Sequence, residues 1–226
     1  MSASGASIAR DVRVPAGRLQ LEGSIALPDK ACGIVVFSHG SGSGRHSPRN
    51  AYVAGVLNEA GLATLLLDLL TPEEAANVEL RFDIPLLTER LIDAVRFVQH
   101  YPASSSLRVG LFGASTGVAS ALRAGAEMPE TIRAIVSRGG RPDLTGNQML
   151  PLVRAPTLLL VGGEDGEVIA LNRSAERHLQ CEKALHLVPG ATHLFEEPGT
   201  LEIVARQARD WFVRHLAGAG QPPVAH

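Results

Sequence analysis

The sequence predicts an α/β fold with a mostly parallel eight-stranded sheet that is covered by helices on both faces. Short, continuous apolar runs at residues 33–37 and 62–67 are typical of strands that are buried on both faces. Amphipathic segments alternate with these runs, and the clearest of them is Ile84–His100. Such an alternation builds a parallel sheet, and ligands bind outside the carboxyl ends of its strands.

Length and composition predict one domain over residues 11–216, with a flexible N-terminus at 1–10 and a disordered tail at 217–226. The chain has 226 residues, of which 45% are hydrophobic and 19% are charged. A formal net charge of −2 gives no electrostatic support for a nucleic-acid or membrane-surface partner. Residues 1–10 lack the apolar core of a signal peptide, and no run is long enough to span a membrane. We therefore expect a cytoplasmic protein.

The cysteines do not indicate a metal or disulfide framework. Cys32 and Cys181 have no C-x-x-C or metal-ligand spacing, and each falls at the edge of a predicted strand. A small buried residue is the expected role of both. The sequence predicts neither a bound metal nor a cofactor.

The elements of the first half follow from their apolar patterns. Alternating apolar residues at 11–28 predict two strands of an edge hairpin around a turn at 15–17. A strand at 33–37 is followed by a polar, glycine-rich loop at 38–44 and a helix at 48–59. A strand at 62–67 leads into an irregular loop at 68–80 and the long helix at 84–100.

The second half repeats the alternation of strand and helix. We predict strands at 107–112, 132–136, 156–161 and 184–188, and helices at 118–126, 168–179 and 201–216. A polar loop at 137–147 follows the sixth strand. The roughly twenty residues before the seventh strand are too few for a helical lid domain. The predicted site is therefore open or only lightly covered.

A candidate nucleophile stands between the fifth strand and the next helix. The pentapeptide Gly113-Ala114-Ser115-Thr116-Gly117 is a Gly-x-Ser-x-Gly motif in the strand–turn–helix context of a nucleophile elbow. Such a turn holds its serine at positive φ, and glycine two residues before and after avoids steric collision. The pentapeptide alone is a weak signal, so its meaning depends on partners elsewhere in the chain.

A serine nucleophile needs a general base and an acid that orients the base. Asp165 directly follows the seventh strand, and His193 follows the eighth. Both therefore lie at the same edge of the predicted sheet as Ser115. Glu164 and Asp143 are competing acids, and the context after the strand favours Asp165. A turn or N-cap role is the structural alternative for Asp165.

His193 is one of eight histidines in the chain. The other seven fall in helix or strand patterns, in the tail, or in and beside the glycine-rich loop: His39, His46, His100, His178, His186, His215 and His226. Only His193 follows the terminal strand, so we predict it as the general base. His39 precedes the glycines of its loop and is predicted to be a structural residue.

The glycine-rich loop after the third strand is the predicted oxyanion-hole segment. A tetrahedral intermediate needs preorganised N–H donors where its negative charge develops. We predict the backbone N–H of Thr116 as one donor and that of Ser41 as the second, with Gly40 as the alternative. No Gly-Lys-Ser/Thr follows the loop, so it is not a phosphate-binding loop of that type.

Arginines near the predicted strand ends are candidate substrate contacts. Arg45 lies in the oxyanion-side loop, and Arg138 and Arg141 follow the sixth strand. Guanidinium groups suit carboxylate or phosphate groups of a substrate. Solvated surface arginines are the alternative interpretation. Gly40 is a further candidate for substrate contact.

The chain resembles α/β-hydrolases of the dienelactone hydrolase-like group over residues 11–216. The shared motifs, in order, are His-Gly, Gly-x-Ser-x-Gly, Gly-x-x-Asp-x-x-Val and Gly-x-x-His. The resemblance implies the α/β-hydrolase fold without a separate lid, and the chain order Ser, Asp, His. The stretches 38–50, 137–144 and 190–199 resemble a subgroup sometimes joined to phosphoribosyltransferase domains. Dienelactone hydrolases use cysteine at the elbow, whereas this chain has Ser115, which favours ordinary ester hydrolysis over dienelactone as substrate.

These observations predict a serine hydrolase that cleaves small carboxylic esters or lactones through an acyl-enzyme on Ser115, without a cofactor. The expected partner is a small-molecule substrate, and the sequence does not indicate the oligomeric state. A thioesterase or small-peptide hydrolase on the same triad is an alternative. A non-catalytic binding module of the same fold is another, because fold does not fix function.

Overall fold

An eight-stranded sheet runs through the computed structural model, which describes residues 9–217. Its strands lie in the order β1-β2-β4-β3-β5-β6-β7-β8. The two pairs that involve β2 are antiparallel, and the other five are parallel. The predicted mostly parallel sheet is therefore confirmed. The strands are β1 (Arg10–Ala16), β2 (Leu19–Ala26), β3 (Gly33–Ser38), β4 (Leu62–Leu67), β5 (Val109–Ala114), β6 (Ile132–Arg138), β7 (Thr157–Gly162) and β8 (Lys183–Val188).

Helices cover both faces of the sheet, as predicted. They are α1 (Pro48–Glu59), α2 (Pro72–Ala76), α3 (Ile84–His100), α4 (Gly117–Glu127), α5 (Gly166–His178) and α6 (Thr200–Leu216). One core joins α1 and α6 to the sheet through residues such as Phe37, Phe112 and Phe212. The other core joins α3, α4 and α5 to the opposite face. Among residues 9–217, no helix has the length and apolar character needed to cross a bilayer.

The central strands are buried on both faces, which explains their continuous apolar sequences. Every residue of β3, β4, β5 and β7 is buried. Because β3, β5, β6, β7 and β8 are mutually parallel, their carboxyl ends meet at one edge. The polar segments that follow these strands are brought together there, which places the candidate site.

The N-terminal hairpin turns later than predicted. Pro15 and Ala16 lie inside β1, where they pair with Gln20 and Leu19 of β2. The turn falls after them, beginning at Gly17, whose φ is +59°. Proline is tolerated at this position because β1 is an edge strand, where a missing N–H leaves no ladder bond unmade.

The predicted irregular loop at 68–80 contains the short helix α2, so that prediction was wrong in part. The Thr71 hydroxyl accepts a hydrogen bond from the Glu74 N–H (3.2 Å), and the Glu74 carboxylate accepts one from the Thr71 N–H (2.9 Å). This reciprocal pair is a capping box, with Pro72 at the first helical position. The Thr-x-x-Glu spacing was the available signal, but five residues are too few to show a helical period.

The predicted termini fall largely on residues that the structure does not describe. The flexible N-terminus was predicted at 1–10 and the disordered tail at 217–226, and residues 1–8 and 218–226 lie outside the described residues. Within the described range, β1 begins at Arg10 and α6 ends at Leu216.

Candidate active site

Ser115 occupies a sharp turn between the end of β5 and the start of α4. Its φ is +51°, a left-handed conformation that is uncommon for a residue with a side chain. Its N–H donates to the Arg138 carbonyl on the neighbouring strand (3.0 Å), and its own carbonyl accepts from the Arg141 N–H (3.1 Å). These bonds hold a backbone conformation that costs about 1–3 kcal/mol.

The two motif glycines are required by the packing of α4 against the sheet. A Cβ built on Gly113 would lie 2.7 Å from the Cα of Val118. A Cβ built on Gly117 would overlap the carbonyl oxygen of Ser38 and lie 2.5 Å from that of His39. All the opposing atoms belong to the backbone and cannot move aside individually. The need for glycine on both sides of Ser115, predicted from the motif, is confirmed.

We expect Gly117→Ala to lower the free energy of unfolding by about 2–4 kcal/mol, because the added methyl forces apart two backbone segments. Gly55→Ala is the matched control, since Gly55 is exposed in α1 and a Cβ there meets nothing within 4 Å. We expect this control to raise the unfolding free energy by about 0.5–1 kcal/mol. Equilibrium urea unfolding measures both, and equal stability of the two variants would contradict the steric argument.

The structure brings together the three residues predicted as nucleophile, base and acid. The Ser115 Oγ lies 3.2 Å from His193 Nε2, and His193 Nδ1 lies 2.7 Å from Asp165 Oδ2. In the arrangement that satisfies this chain, the serine hydroxyl donates to Nε2 and Nδ1–H donates to the carboxylate. The Asp165 side chain is 16% exposed and that of His193 is 38% exposed. A largely buried acid therefore orients a base that is partly exposed.

The competing acids have other environments. Asp143 accepts two hydrogen bonds from the Arg141 guanidinium, at 2.9 and 2.8 Å. Glu164 donates its backbone N–H to the Ala191 carbonyl (3.0 Å), and it is the carboxylate of the next residue that meets His193. Asp165 does occupy the N-cap position of α5, but its side chain makes no capping bond. Its carboxylate is thus committed to the imidazole.

His39 ties the glycine-rich loop to the segment after β4. Its Nδ1–H donates to the Gly40 carbonyl (2.9 Å), and its Nε2 accepts from the Leu69 N–H (3.0 Å). Burial lowers the pKa of His39, which favours the neutral ring that both bonds require. These contacts agree with the predicted structural role.

The predicted oxyanion loop lies directly against the nucleophile. A Cβ built on Gly40 would be 3.1 Å from the Ser115 Cβ, so the loop backbone passes beside the serine side chain. The Ser41 N–H donates to the Thr116 hydroxyl oxygen (2.8 Å). Within residues 9–217, the backbone N–H of Thr116 has no protein acceptor. One predicted donor is therefore free at the start of α4, and the other is engaged by a neighbouring side chain.

Two of the candidate substrate arginines are held by internal carboxylates. Arg45 bonds Asp68 through both its N–H (2.7 Å) and its guanidinium (2.6 Å). Arg141 forms the two bonds to Asp143 described above, and these raise its pKa. Both guanidinium groups are thus already neutralised by a carboxylate.

Arg138 is the exception among these arginines. It ends β6, is only 8% exposed, and has no hydrogen-bond partner at Nε or Nη1 among residues 9–217. Burial, and to a smaller extent the positive charge of the neighbouring Arg49, lowers its pKa to about 10. Arg49 in turn pairs with Glu196 (3.0 Å). Within the described part of the chain, Arg138 has no carboxylate partner, which is costly for a buried cation.

A cleft of about 620 Å³ lies between the oxyanion loop and α2. Gly40 and Arg45 line it, as do Asp68, Thr71 and Arg81 from the segment between β4 and α3. The side chains of the three candidate catalytic residues are not part of this lining, and Gly40 separates the cleft from Ser115. The cleft therefore adjoins the nucleophile on the oxyanion side. Its acidic and basic residues between 68 and 81 were missed in the sequence because that segment shows no regular pattern.

The chain is similar to solved hydrolase structures over nearly its whole length. A dienelactone hydrolase from Anabaena variabilis is 53% identical, with a TM-score of 0.91 over 93% of this chain and 99% of that one. Est1E from Butyrivibrio proteoclasticus is 14% identical, with a TM-score of 0.78 over 90% and 98%. A dienelactone hydrolase-like promiscuous phosphotriesterase from metagenomic libraries is 19% identical, with a TM-score of 0.76 over 94% and 100%. The last two share the fold.

Curated relatives are considerably longer than this chain. Two putative phosphoribosyl transferases, from two strains of Mycobacterium tuberculosis, are each 56% identical over 210 residues, which is 93% of this chain. Those 210 residues are 47% of each relative, so the chain spans about half their length. No family model matches the chain.

Proposed function

Because the chain belongs to the dienelactone hydrolase-like family of α/β-hydrolases, we propose that it is a serine hydrolase of small carboxylic esters or lactones. The observation that carries this proposal is the continuous hydrogen-bonded chain from Ser115 through His193 to Asp165 at the carboxyl edge of the sheet. The name phosphoribosyl transferase belongs to proteins of which this chain matches less than half. It is therefore not carried over.

The geometry supports attack by the serine hydroxyl on the substrate carbonyl. As the Ser115 Oγ bonds to the carbonyl carbon, His193 Nε2 accepts the hydroxyl proton across the 3.2 Å contact. Asp165 accepts the Nδ1–H throughout, which keeps Nε2 available and stabilises the imidazolium. The carbonyl oxygen becomes an oxyanion beside the free N–H of Thr116, at the positive end of the α4 dipole.

Collapse of the tetrahedral intermediate expels the alcohol, which takes the proton from His193 and leaves an acyl group on Ser115. Water then attacks the acyl carbon while His193 accepts one of its protons. The second collapse breaks the bond to Oγ, which regains that proton, and releases the carboxylic acid. For a lactone the alcohol and acid leave as one hydroxy acid. No step needs a redox partner or a metal-bound nucleophile.

A matched panel of substrates tests the proposal. The acetyl or butyryl group is offered as a p-nitrophenyl ester, a thioester and an anilide, and the wild-type protein is also treated with a fluorophosphonate. We expect Ser115 to be labelled and the ester to be hydrolysed fastest. Faster thioester or anilide turnover would favour the alternatives on the same triad. Failure both to label and to hydrolyse would favour a binding module.

We further propose that Arg138 contacts an anionic group of the substrate. The following residue, Gly139, lies against His193, since a Cβ built there would be 3.2 Å from the His193 carbonyl. The Arg138 carbonyl accepts the Ser115 N–H. The backbone of Arg138 therefore adjoins both reacting residues, and its guanidinium has no carboxylate partner within residues 9–217. Arg45 and Arg141 are weaker candidates, because each is neutralised internally.

Arg138→Met is expected to lower the preference for an anionic ester by about 10- to 100-fold, the range for loss of a charged hydrogen bond. The measured quantity is the ratio of kcat/KM for p-nitrophenyl hemisuccinate to that for p-nitrophenyl butyrate. Arg133→Met is the control, since Arg133 is exposed near the opposite end of β6. An unchanged ratio in Arg138→Met would contradict the assignment.

A further inference from the structure

The peptide between Gly40 and Ser41 is held in one orientation. Its carbonyl oxygen accepts from the Ser43 N–H (3.1 Å) and from His39 Nδ1–H (2.9 Å). In a trans peptide the C=O and the N–H point to opposite sides. The Ser41 N–H is therefore directed away from His39 and Ser43, and it meets the Thr116 hydroxyl oxygen at 2.8 Å.

The Thr116 hydroxyl is an acceptor in this contact, and its own proton is unassigned. A hydroxyl carries one donor and two acceptor lone pairs. Because an amide N–H can only donate, the Ser41 contact uses a lone pair of the Thr116 oxygen. Within residues 9–217 the hydroxyl proton has no acceptor, although Thr116 is buried. A buried O–H donor is thus available next to the nucleophile.

Thr116 has two donors without an acceptor within residues 9–217, its backbone N–H and its hydroxyl, and the residue is fixed in place. Its backbone nitrogen and its hydroxyl oxygen are separated by only three covalent bonds, so the two donors lie close together. The residue is the N-cap of α4, and its carbonyl accepts from the Ala119 N–H (3.1 Å). Close packing of Gly117 against the Ser38 and His39 carbonyls sets the distance between α4 and the glycine-rich loop. The donors are therefore preorganised, as oxyanion stabilisation requires.

We propose that the side-chain hydroxyl of Thr116 is the second donor of the oxyanion hole, and that Ser41 acts through it. In this relay no proton changes its owner. The Ser41 N–H donates a hydrogen bond to the Thr116 hydroxyl oxygen, and the Thr116 O–H donates one to the oxyanion. A hydroxyl that accepts one hydrogen bond is polarised and becomes a stronger donor in the next. This proposal rests on the proposed serine hydrolase function and deepens it by naming a catalytic side chain.

The test compares Thr116→Val and Thr116→Ser with the wild type. Valine preserves the branched shape and removes the hydroxyl, whereas serine keeps the hydroxyl and removes the methyl. We expect Thr116→Val to lower kcat for p-nitrophenyl acetate on the order of 10²-fold, with KM changed by less than about 3-fold. Thr116→Ser is expected to keep kcat within about 5-fold of the wild type.

Inhibition by a boronic acid, which forms a tetrahedral adduct with the serine, separates oxyanion binding from a purely structural role of the Thr116 hydroxyl. The inhibition constant should rise in Thr116→Val by the same factor by which kcat/KM falls, because both quantities report binding of the oxyanion. Thermal unfolding midpoints check that each variant is folded. Where Thr116→Val fails to fold, Thr116→Ala against Thr116→Ser gives the same comparison of hydroxyl present and absent.

Three results would overturn the proposal. The first is a Thr116→Val variant whose kcat and boronic acid affinity equal those of the wild type. The second is a Thr116→Val variant whose kcat is higher than that of the wild type, which would mean that the hydroxyl obstructs the Ser41 N–H. The third is equal loss in the valine and serine variants, which would assign the effect to packing. Each leaves the proposed function intact as long as hydrolysis depends on Ser115. Hydrolysis that survives in Ser115→Ala instead removes the proposed function itself.

Discussion

Ser115→Ala is expected to lower kcat for p-nitrophenyl acetate by at least about 10⁴-fold, because the acyl-enzyme can no longer form. The variant keeps the Cβ, so the strain at φ +51° stays and the turn has no reason to rearrange. It loses the 3.2 Å bond to His193 and nothing else among the described contacts of its side chain. The loss of activity therefore reports the missing oxygen and not a displaced loop.

A double variant sharpens this expectation. Nucleophile and base act as a unit, so Ser115→Ala with His193→Ala should be about as inactive as either single variant. Ser105→Ala is the control, since Ser105 is exposed and its hydroxyl donates locally to the Pro102 carbonyl. Stopped assays at matched protein concentration, together with fluorophosphonate labelling, measure all four proteins. Additive losses in the double variant would mean that the two residues do not share one step.

The sheet and the candidate triad could be predicted because each strand, and each residue that follows a strand, is marked by a local sequence pattern. The runs that became β3 and β4 are continuous and apolar, since both faces of these strands are buried. Asp165 and His193 follow such runs, and parallel strands bring their carboxyl ends to one edge. The order of the strands then fixes which side chains meet.

Other parts of the site depend on contacts that no local pattern specifies. The bond between Ser41 and Thr116 joins residues 75 positions apart, and it requires both the orientation of one peptide and the packing of Gly117. In the same way, Arg45, Arg138 and Arg141 are indistinguishable in the sequence. Only the fold shows that Asp68 and Asp143 neutralise two of them, while Arg138 has no carboxylate partner in the described part of the chain.

The segment between β4 and α3 is another part of the structure that the sequence did not predict. Its helix α2 spans five residues and buries none of them, so the apolar periodicity that identifies longer helices is missing. The same segment supplies Asp68, Thr71 and Arg81 to the cleft. Part of this cleft is thus made by a segment whose short helix depends on capping rather than on burial.

Asp165→Asn is expected to lower kcat on the order of 10⁴-fold while the protein stays folded. The amide has the size of the carboxylate but no negative charge, so it cannot stabilise the imidazolium that forms when His193 accepts the Ser115 proton. It can also donate an N–H to Nδ1, which moves the ring proton to Nε2 and removes the acceptor for Ser115. The effect therefore reaches the nucleophile through the 2.7 Å and 3.2 Å contacts of His193.

Glu164→Gln is the matched control, because it neutralises the adjacent carboxylate by the same chemical change. We expect its kcat to stay within about 3-fold of the wild type, since the neighbouring carboxylate is the one that bonds His193. The kcat for p-nitrophenyl acetate and the thermal unfolding midpoint, measured for both variants, show which carboxylate orients His193. Loss of activity in Glu164→Gln with a normal Asp165→Asn would assign the acid to Glu164. Equal loss in both would show that summed negative charge, and not one oriented carboxylate, supports the base.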